Sequence, residues 1–142
     1  MSQIKVRKLN SEALLPERLG GSDVGWDLYA NTVTPLADNM VKVGTGIAIE
    51  LPEGYWAEIA NRSSMGKAGW AVHGGIVDNG YRGEIIVILA QHKIGVPAEL
   101  APGMKIAQMI IRKQEDIGWN VLECTELSDT KRGADGFGST GR

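Results

Sequence analysis

Short runs of apolar and β-branched residues, each broken by glycine, proline or asparagine, recur along most of the chain. Strands are expected at Ile4–Leu9, Asp27–Tyr29, Met40–Val43, Thr45–Glu50, Tyr55–Ala60, Ala71–Val72, Gly83–Gln91, Lys105–Arg112 and Trp119–Val121. No apolar period of 3.6 residues is sustained anywhere, which argues against amphipathic helices. Only Ser63–Gly69 suggests a helix, with a hydroxyl residue as N-cap, and its two glycines hold it to about two turns. Many short strands with punctuated turns predict an all-β sandwich or barrel.

The chain's 142 residues suit one domain with a real core. Glycine, at 19 residues, is frequent, but it is spread between the apolar runs and so reads as turns. The tail is different. From Lys131 to Arg142 it carries five glycines and one large apolar residue, Phe137, which predicts a flexible segment, 131–142, attached to a β domain spanning 1–130.

Charge and cysteine content narrow the function. A net charge of −2, from 15 basic and 17 acidic residues, supplies no basic field for polymeric nucleic acid. The longest clearly apolar run, Ile85–Ala90, is far short of the roughly 20 residues needed to cross a bilayer, so no membrane role is expected. The single Cys124 cannot form an internal disulfide, and the first residues lack the apolar core of a signal peptide. A cytoplasmic protein is expected.

Three segments carry candidate chemistry. In Gly75-Ile-Val-Asp-Asn-Gly-Tyr-Arg-Gly83, Asn79-Gly80 suits a type I′ turn, which predicts a β-hairpin with Asp78 and Tyr81 beside its tip. A hairpin edge can pair with a planar pyrimidine through fixed backbone groups, although taken alone the segment also fits a surface turn braced by its Asp. In Asn61-Arg-Ser-Ser-Met-Gly-Lys67, a strand runs into hydroxyls and a helix start, a corner able to hold phosphate with Arg62 as a charged donor fork. Ordinary capping beside a surface Arg fits it equally. The spacing is not that of a P-loop. In Arg132-Gly-Ala-Asp-Gly-Phe-Gly-Ser-Thr-Gly141, an aromatic ring, an Arg and two hydroxyls ride on a pliable backbone, which suits a lid over a nucleotide as well as a plain disordered tail.

Together with Gly25-Trp-Asp-Leu-Tyr-Ala30 and Gly103-Met-Lys-Ile-Ala-Gln-Met-Ile110, these segments resemble, in order, the five motifs of the trimeric dUTP pyrophosphatases (dUTPases). The resemblance covers most of the chain. It implies an all-β, jelly-roll-like (β-clip) subunit, a homotrimer with sites between subunits, and a C-terminal tail that closes over another subunit's pocket. It also implies hydrolysis of dUTP to dUMP and pyrophosphate with magnesium. Asp78 matches the catalytic aspartate that deprotonates the attacking water, and a carboxylate is ionised and able to do so at neutral pH.

By the same resemblance Tyr81 packs under the deoxyribose and excludes a 2′-hydroxyl, while the backbone of Gly75, Ile76 and Val77 reads the uracil edge. Arg62, Ser63, Ser64, Gln108, Arg132, Phe137, Gly138 and Ser139 (or Thr140) would hold base and phosphates. Magnesium carried by phosphates keeps several waters and needs no direct protein ligand, with Asp27 a candidate contact through water or else a brace for its strand. Lys67 and Lys105 are expected to be solvated charges, His73 and His92 surface residues, and Trp26 and Trp70 packing residues. Asp135 departs from the glycine usual in the fifth motif, and Val72-His-Gly-Gly from an asparagine-bearing version of the third. The dCTP deaminases share the fold but need a glutamate where this chain has Ile88. A nucleotide-gated regulatory protein is the other alternative.

Overall fold

Along Tyr55–Ala60, Ala57 and Ile59 are buried while their neighbours are partly open, the alternation a strand needs to cover one side of a core. Repeated along the chain, this pattern builds two four-stranded sheets and a two-stranded ribbon. The computed structural model describes residues 2–92 and 99–138. Its elements are β1 (Lys5–Lys8), β2 (Trp26–Tyr29), β3 (Thr32–Ala37), β4 (Met40–Gly44), β5 (Ile47–Glu50), β6 (Tyr55–Ala60), α1 (Ser63–Lys67), β7 (Trp70–His73), β8 (Ile76–Val77), β9 (Ile86–Gln91) and β10 (Lys105–Lys113).

One sheet has the order β2-β10-β6-β8, the other β3-β4-β9-β7, and β1 pairs with β5; the pairings within them are antiparallel. The inner faces meet through Leu28, Ile106 and Met109 from the first sheet and Val43, Val87 and Leu89 from the second, all essentially buried. Each such side chain contributes roughly 1.5–3 kcal/mol by leaving water.

Four expectations need correction. The Asn79-Gly80 hairpin does not form: neither residue takes a positive φ, and β8 pairs with β6 while β9 pairs with β4 and β7. Residues 78–85 therefore cross between sheets, and the turn closes by an ordinary bond from Tyr81 N to Asp78 O at 3.0 Å. Trp119–Val121 is not a strand; Val121 is fully exposed and Trp119 is 83% exposed. The cap of α1 is Arg62, with no side-chain cap bond, so no hydroxyl caps the helix. Finally, β3 was not expected, because Pro35 interrupts its pattern. Proline is tolerated there because β3 is an edge strand, and the register slips between Pro35 and Ala37.

A β-bulge in β10 matters most for the site. Lys105 lies opposite Tyr29 and Gln108 opposite Asp27, with the register shifting between Lys105 and Ala107. In an unbroken strand two residues three apart point to opposite faces. The extra residue sends Ile106 and Ala107 inward and brings Lys105 and Gln108 to the face that carries Asp27.

Candidate active site

On that outer face, β2, β10 and the end of β6 converge on one carboxylate. Arg62 Nε donates to Asp27 Oδ1 at 2.9 Å, and Lys105 Nζ lies 3.2 Å from Asp27 Oδ2. The three side chains are mostly sheltered, at 28% exposed for Arg62, 17% for Asp27 and 31% for Lys105, so the pairing is less screened than on an open surface. Lys105 is thus not the solvated charge expected of it; it also sits 5.9 Å above the Tyr29 ring. Arg62 reaches Ser64 Oγ at 3.3 Å as well. Ser63 and Ser64 are exposed at the start of α1, beside a cleft lined by Arg62, Ser64, Met65 and Lys105.

Gln108 points into the same corner and donates from Nε2 to the Asn61 carbonyl at 2.7 Å. Its side chain fills the space over Gly25, where any Cβ would collide with it. Asn61 has no assigned role in the sequence reading, yet it fixes the corner: it donates to the Trp70 carbonyl at 2.9 Å and accepts from Val72 N at 2.8 Å. Both contacts are long-range, and nothing in the local sequence signals them.

A second group sits elsewhere. Gly75, at φ +111, accepts from Ile59 N at 2.7 Å, and Val77 is paired with Ala57. Asp78 is exposed on the loop that follows. Tyr81 folds back on that loop: its hydroxyl donates to the Glu84 carbonyl at 2.8 Å, and its ring lies over Gly83, where a Cβ would fall 2.5 Å from the hydroxyl oxygen. Because Val77 is level with Ala57 while Arg62 lies beyond Ala60, Asp78 and the Arg62 corner occupy opposite ends of β6. At about 3.3 Å per residue the separation is roughly 15–20 Å along the strand. One chain therefore does not unite Asp78 with Arg62, Ser64 and Gln108.

The tail is a third group. Residues 112–135 are exposed, and Phe137 is fully so, at φ +52. Arg132 Nε donates to the Asp135 carbonyl at 2.8 Å, so the residue standing where glycine is usual closes a small local turn. Gly138 has φ +84. Ser139 and Thr140 lie outside the described residues. His73 and His92 are exposed, with rings stacked 6.1 Å apart, Trp70 is buried, and Trp26 packs under the Arg18 guanidinium at 4.5 Å. Among the described residues no helix is long and apolar enough to cross a membrane.

The protein-family model described as dUTPase matches residues 11–141. The chain belongs to the dUTPase family. A deoxyuridine 5′-triphosphate nucleotidohydrolase of Clostridioides difficile is 41% identical over 146 residues, covering 99% of each chain, and one of Rickettsia felis is 42% identical, covering 99% of this chain and 98% of the other. Among solved structures, the dUTPase of Staphylococcus bacteriophage 80alpha with dUpNHpp superposes with a TM-score of 0.77 at 24% identity, covering 99% of each chain. The native EIAV dUTPase gives 0.67 at 26% identity, covering 88% of this chain and all of the other. A dUTPase of phage phi11 of S. aureus, at 20% identity and a TM-score of 0.67 over 91% of this chain and 99% of the other, coordinates a structural Mg(II) ion. The family's jelly-roll-like, all-β fold is the one described above.

Proposed function

We propose that this chain hydrolyses dUTP to dUMP and pyrophosphate as a homotrimer whose sites form between subunits. Membership of the family supports the activity. The observation that carries the assembly is the separation of Asp78 from the Arg62 corner: a second copy can bring the two together where one chain holds them apart. The exposed apolar residues Ile117, Trp119, Val121, Leu122 and Leu127 support it further, since a segment this apolar calls for a cover.

In this reading Asp78 accepts a proton from the water that attacks the α-phosphorus, and the bond from that phosphorus to the bridging oxygen breaks as pyrophosphate leaves. Arg62, Ser63, Ser64 and Gln108 of a neighbouring subunit bind the phosphates, with Arg62 held in its rotamer by Asp27. The backbone of Gly75, Ile76 and Val77 reads uracil, and the Tyr81 ring excludes a ribose 2′-hydroxyl by contact. Residues 1–130 form the β domain and 131–142 its lid, in which Phe137 covers the base and Arg132, Gly138 and Ser139 close on the phosphates. Ligand offsets the entropy lost when this lid orders.

Among the described residues no three His, Cys, Asp or Glu gather as a metal site, and both Asp27 oxygens face cations. This donor set fits a magnesium ion carried by the substrate phosphates, with Asp27 reaching it at most through water. When bound there, magnesium would offset charge on the departing pyrophosphate. A cytoplasmic location, where dUTP is made and consumed, completes the reading.

The test compares dUTP, dTTP, dCTP and UTP with magnesium, for wild type and Asp78→Asn. Release of dUMP and pyrophosphate from dUTP alone, reduced by about 10²-fold or more in the variant, is the expected result. A folded protein that leaves dUTP intact would overturn the reading, and ammonia release from dCTP would replace it with a deaminase.

A further inference from the structure

We propose that Asn79 is a positioning residue for Asp78, acting through a side-chain clamp onto the β5–β6 turn; the proposal rests on the catalytic reading of Asp78 above. Asn-Gly in a turn is ordinarily explained by positive φ, but neither Asn79 nor Gly80 adopts it, so backbone conformation does not account for the asparagine. Its side chain does. Asn79 Nδ2 donates to the carbonyls of Tyr55 at 2.8 Å and Pro52 at 2.9 Å, with the Leu51 carbonyl at 3.5 Å. A primary amide carries two hydrogens for the two short contacts, and a carboxylate there would face three carbonyl oxygens with nothing to donate.

The clamp matters because of what it flanks. Before Asp78, Val77 is buried and paired with Ala57; after it, Asn79 is tied to Pro52 and Tyr55. Both anchors belong to one stretch, Leu51–Ala57, so the Asp78 peptide is fixed at both ends to a single rigid hairpin. The Asp78 carbonyl is also held by Tyr81 N at 3.0 Å, and the Asn79 carbonyl by the Arg82 guanidinium. The Asp78 carboxylate itself is exposed, so its aim is set by this main chain. A base that must hold a water in line with a phosphorus–oxygen bond loses rate steeply when it is displaced, and about 1 Å is worth up to 10²-fold.

The experiment measures kcat and KM for dUTP and the affinity for dUMP, with full-length Asn79→Asp, Asn79→Ser and Asn79→Ala, each alone and combined with Asp78→Asn. Expected is a fall in kcat of about 10- to 100-fold for Asp and Ala, less for Ser, with KM and dUMP affinity changed by no more than about twofold. In the Asp78→Asn background the residual single-turnover rate should not fall again, because the residue acts through the carboxylate already removed. Unchanged kcat beside a lowered melting temperature would overturn the proposal, as would an equal loss in both backgrounds or an effect confined to KM. If Asn79→Asp fails to fold, Ser and Ala decide the matter. A wild type inert toward dUTP would sink the catalytic reading itself, a different result from an active wild type with indifferent Asn79 variants.

Discussion

Two adjacent glycines offer a sharp test of how tightly β8 is laid against β6. Gly74 has φ +76 and open space where a Cβ would go; Gly75 has φ +111, and its added Cβ would sit 2.5 Å from the Ile59 carbonyl oxygen. Replacing Gly74 with alanine therefore costs only the unfavourable backbone, about 1–2 kcal/mol. At Gly75 the same backbone cost applies, and the Cβ is ~0.9 Å inside ordinary contact with a main-chain atom that cannot rotate away. Relieving it separates the strands where Ile59 N donates to Gly75 O at 2.7 Å, which removes about 1 kcal/mol more. Gly75→Ala should thus lose about 2–4 kcal/mol. At about 3 °C per kcal/mol for a chain of this size, the melting temperature should drop roughly 6–12 °C, against 3–6 °C for Gly74→Ala. Urea unfolding followed by tryptophan fluorescence at one protein concentration would measure both. Equal losses at the two positions would refute the argument, because the contact with Ile59 would then not be felt.

Asp27→Asn removes the charge shared by Arg62 and Lys105; with all three side chains partly sheltered, a loss of about 1–2 kcal/mol in unfolding free energy is expected, after discounting for residual solvent screening. At Glu50, the hydrogen bond and charge of Lys5, 2.8 Å away, and then the charge of Arg82, hold the carboxyl below its usual range. A depressed folded-state value means the contribution is present above pH 4.5 and lost as pH falls through the lower value, so melting-temperature curves of wild type and Lys5→Met should differ above pH 4.5 and converge in acid. Deleting residues 117–142 should yield a smaller assembly by analytical ultracentrifugation. Deleting only 131–142 should leave the mass of the assembly intact while cutting kcat/KM at least about tenfold.

Much of this molecule was legible in its sequence, and the exceptions share a cause. Strands such as β6 and β10 announce themselves because burial on one side imprints alternation on the residues. β3 hides because Pro35 breaks the pattern, and an edge position excuses a proline that an inner strand would not. Asn79-Gly80 misleads because its dipeptide signal is local, whereas the side chain is spent on carbonyls more than twenty residues away. Lys105 was taken for a solvated charge because period-two reasoning puts it opposite Gln108; the bulge that reunites them is a feature of pairing, visible only once β2 lies alongside. Trp119–Val121 has a strand's composition, but a strand needs a neighbour, and within one chain the segment has none among the described strands. The candidate site residues were found by resemblance, and what the sequence left dark was the framework of Asn61, Lys105 and Asn79 that holds them.

The position of β10 bears on how the protein comes to be made. It is the last strand in the chain, yet it is an inner strand of its sheet, lying between β2 and β6. A growing polypeptide has therefore released Asp27 and Arg62 from the ribosome long before the strand that seats between their elements exists. Until Lys105–Lys113 emerges, β2 and β6 have no common partner, and their apolar faces stand open to association with other chains. The corner built on Asp27 thus arises all at once, at the end of synthesis, and a message truncated upstream of β10 would yield a protein without it rather than one with a weaker version.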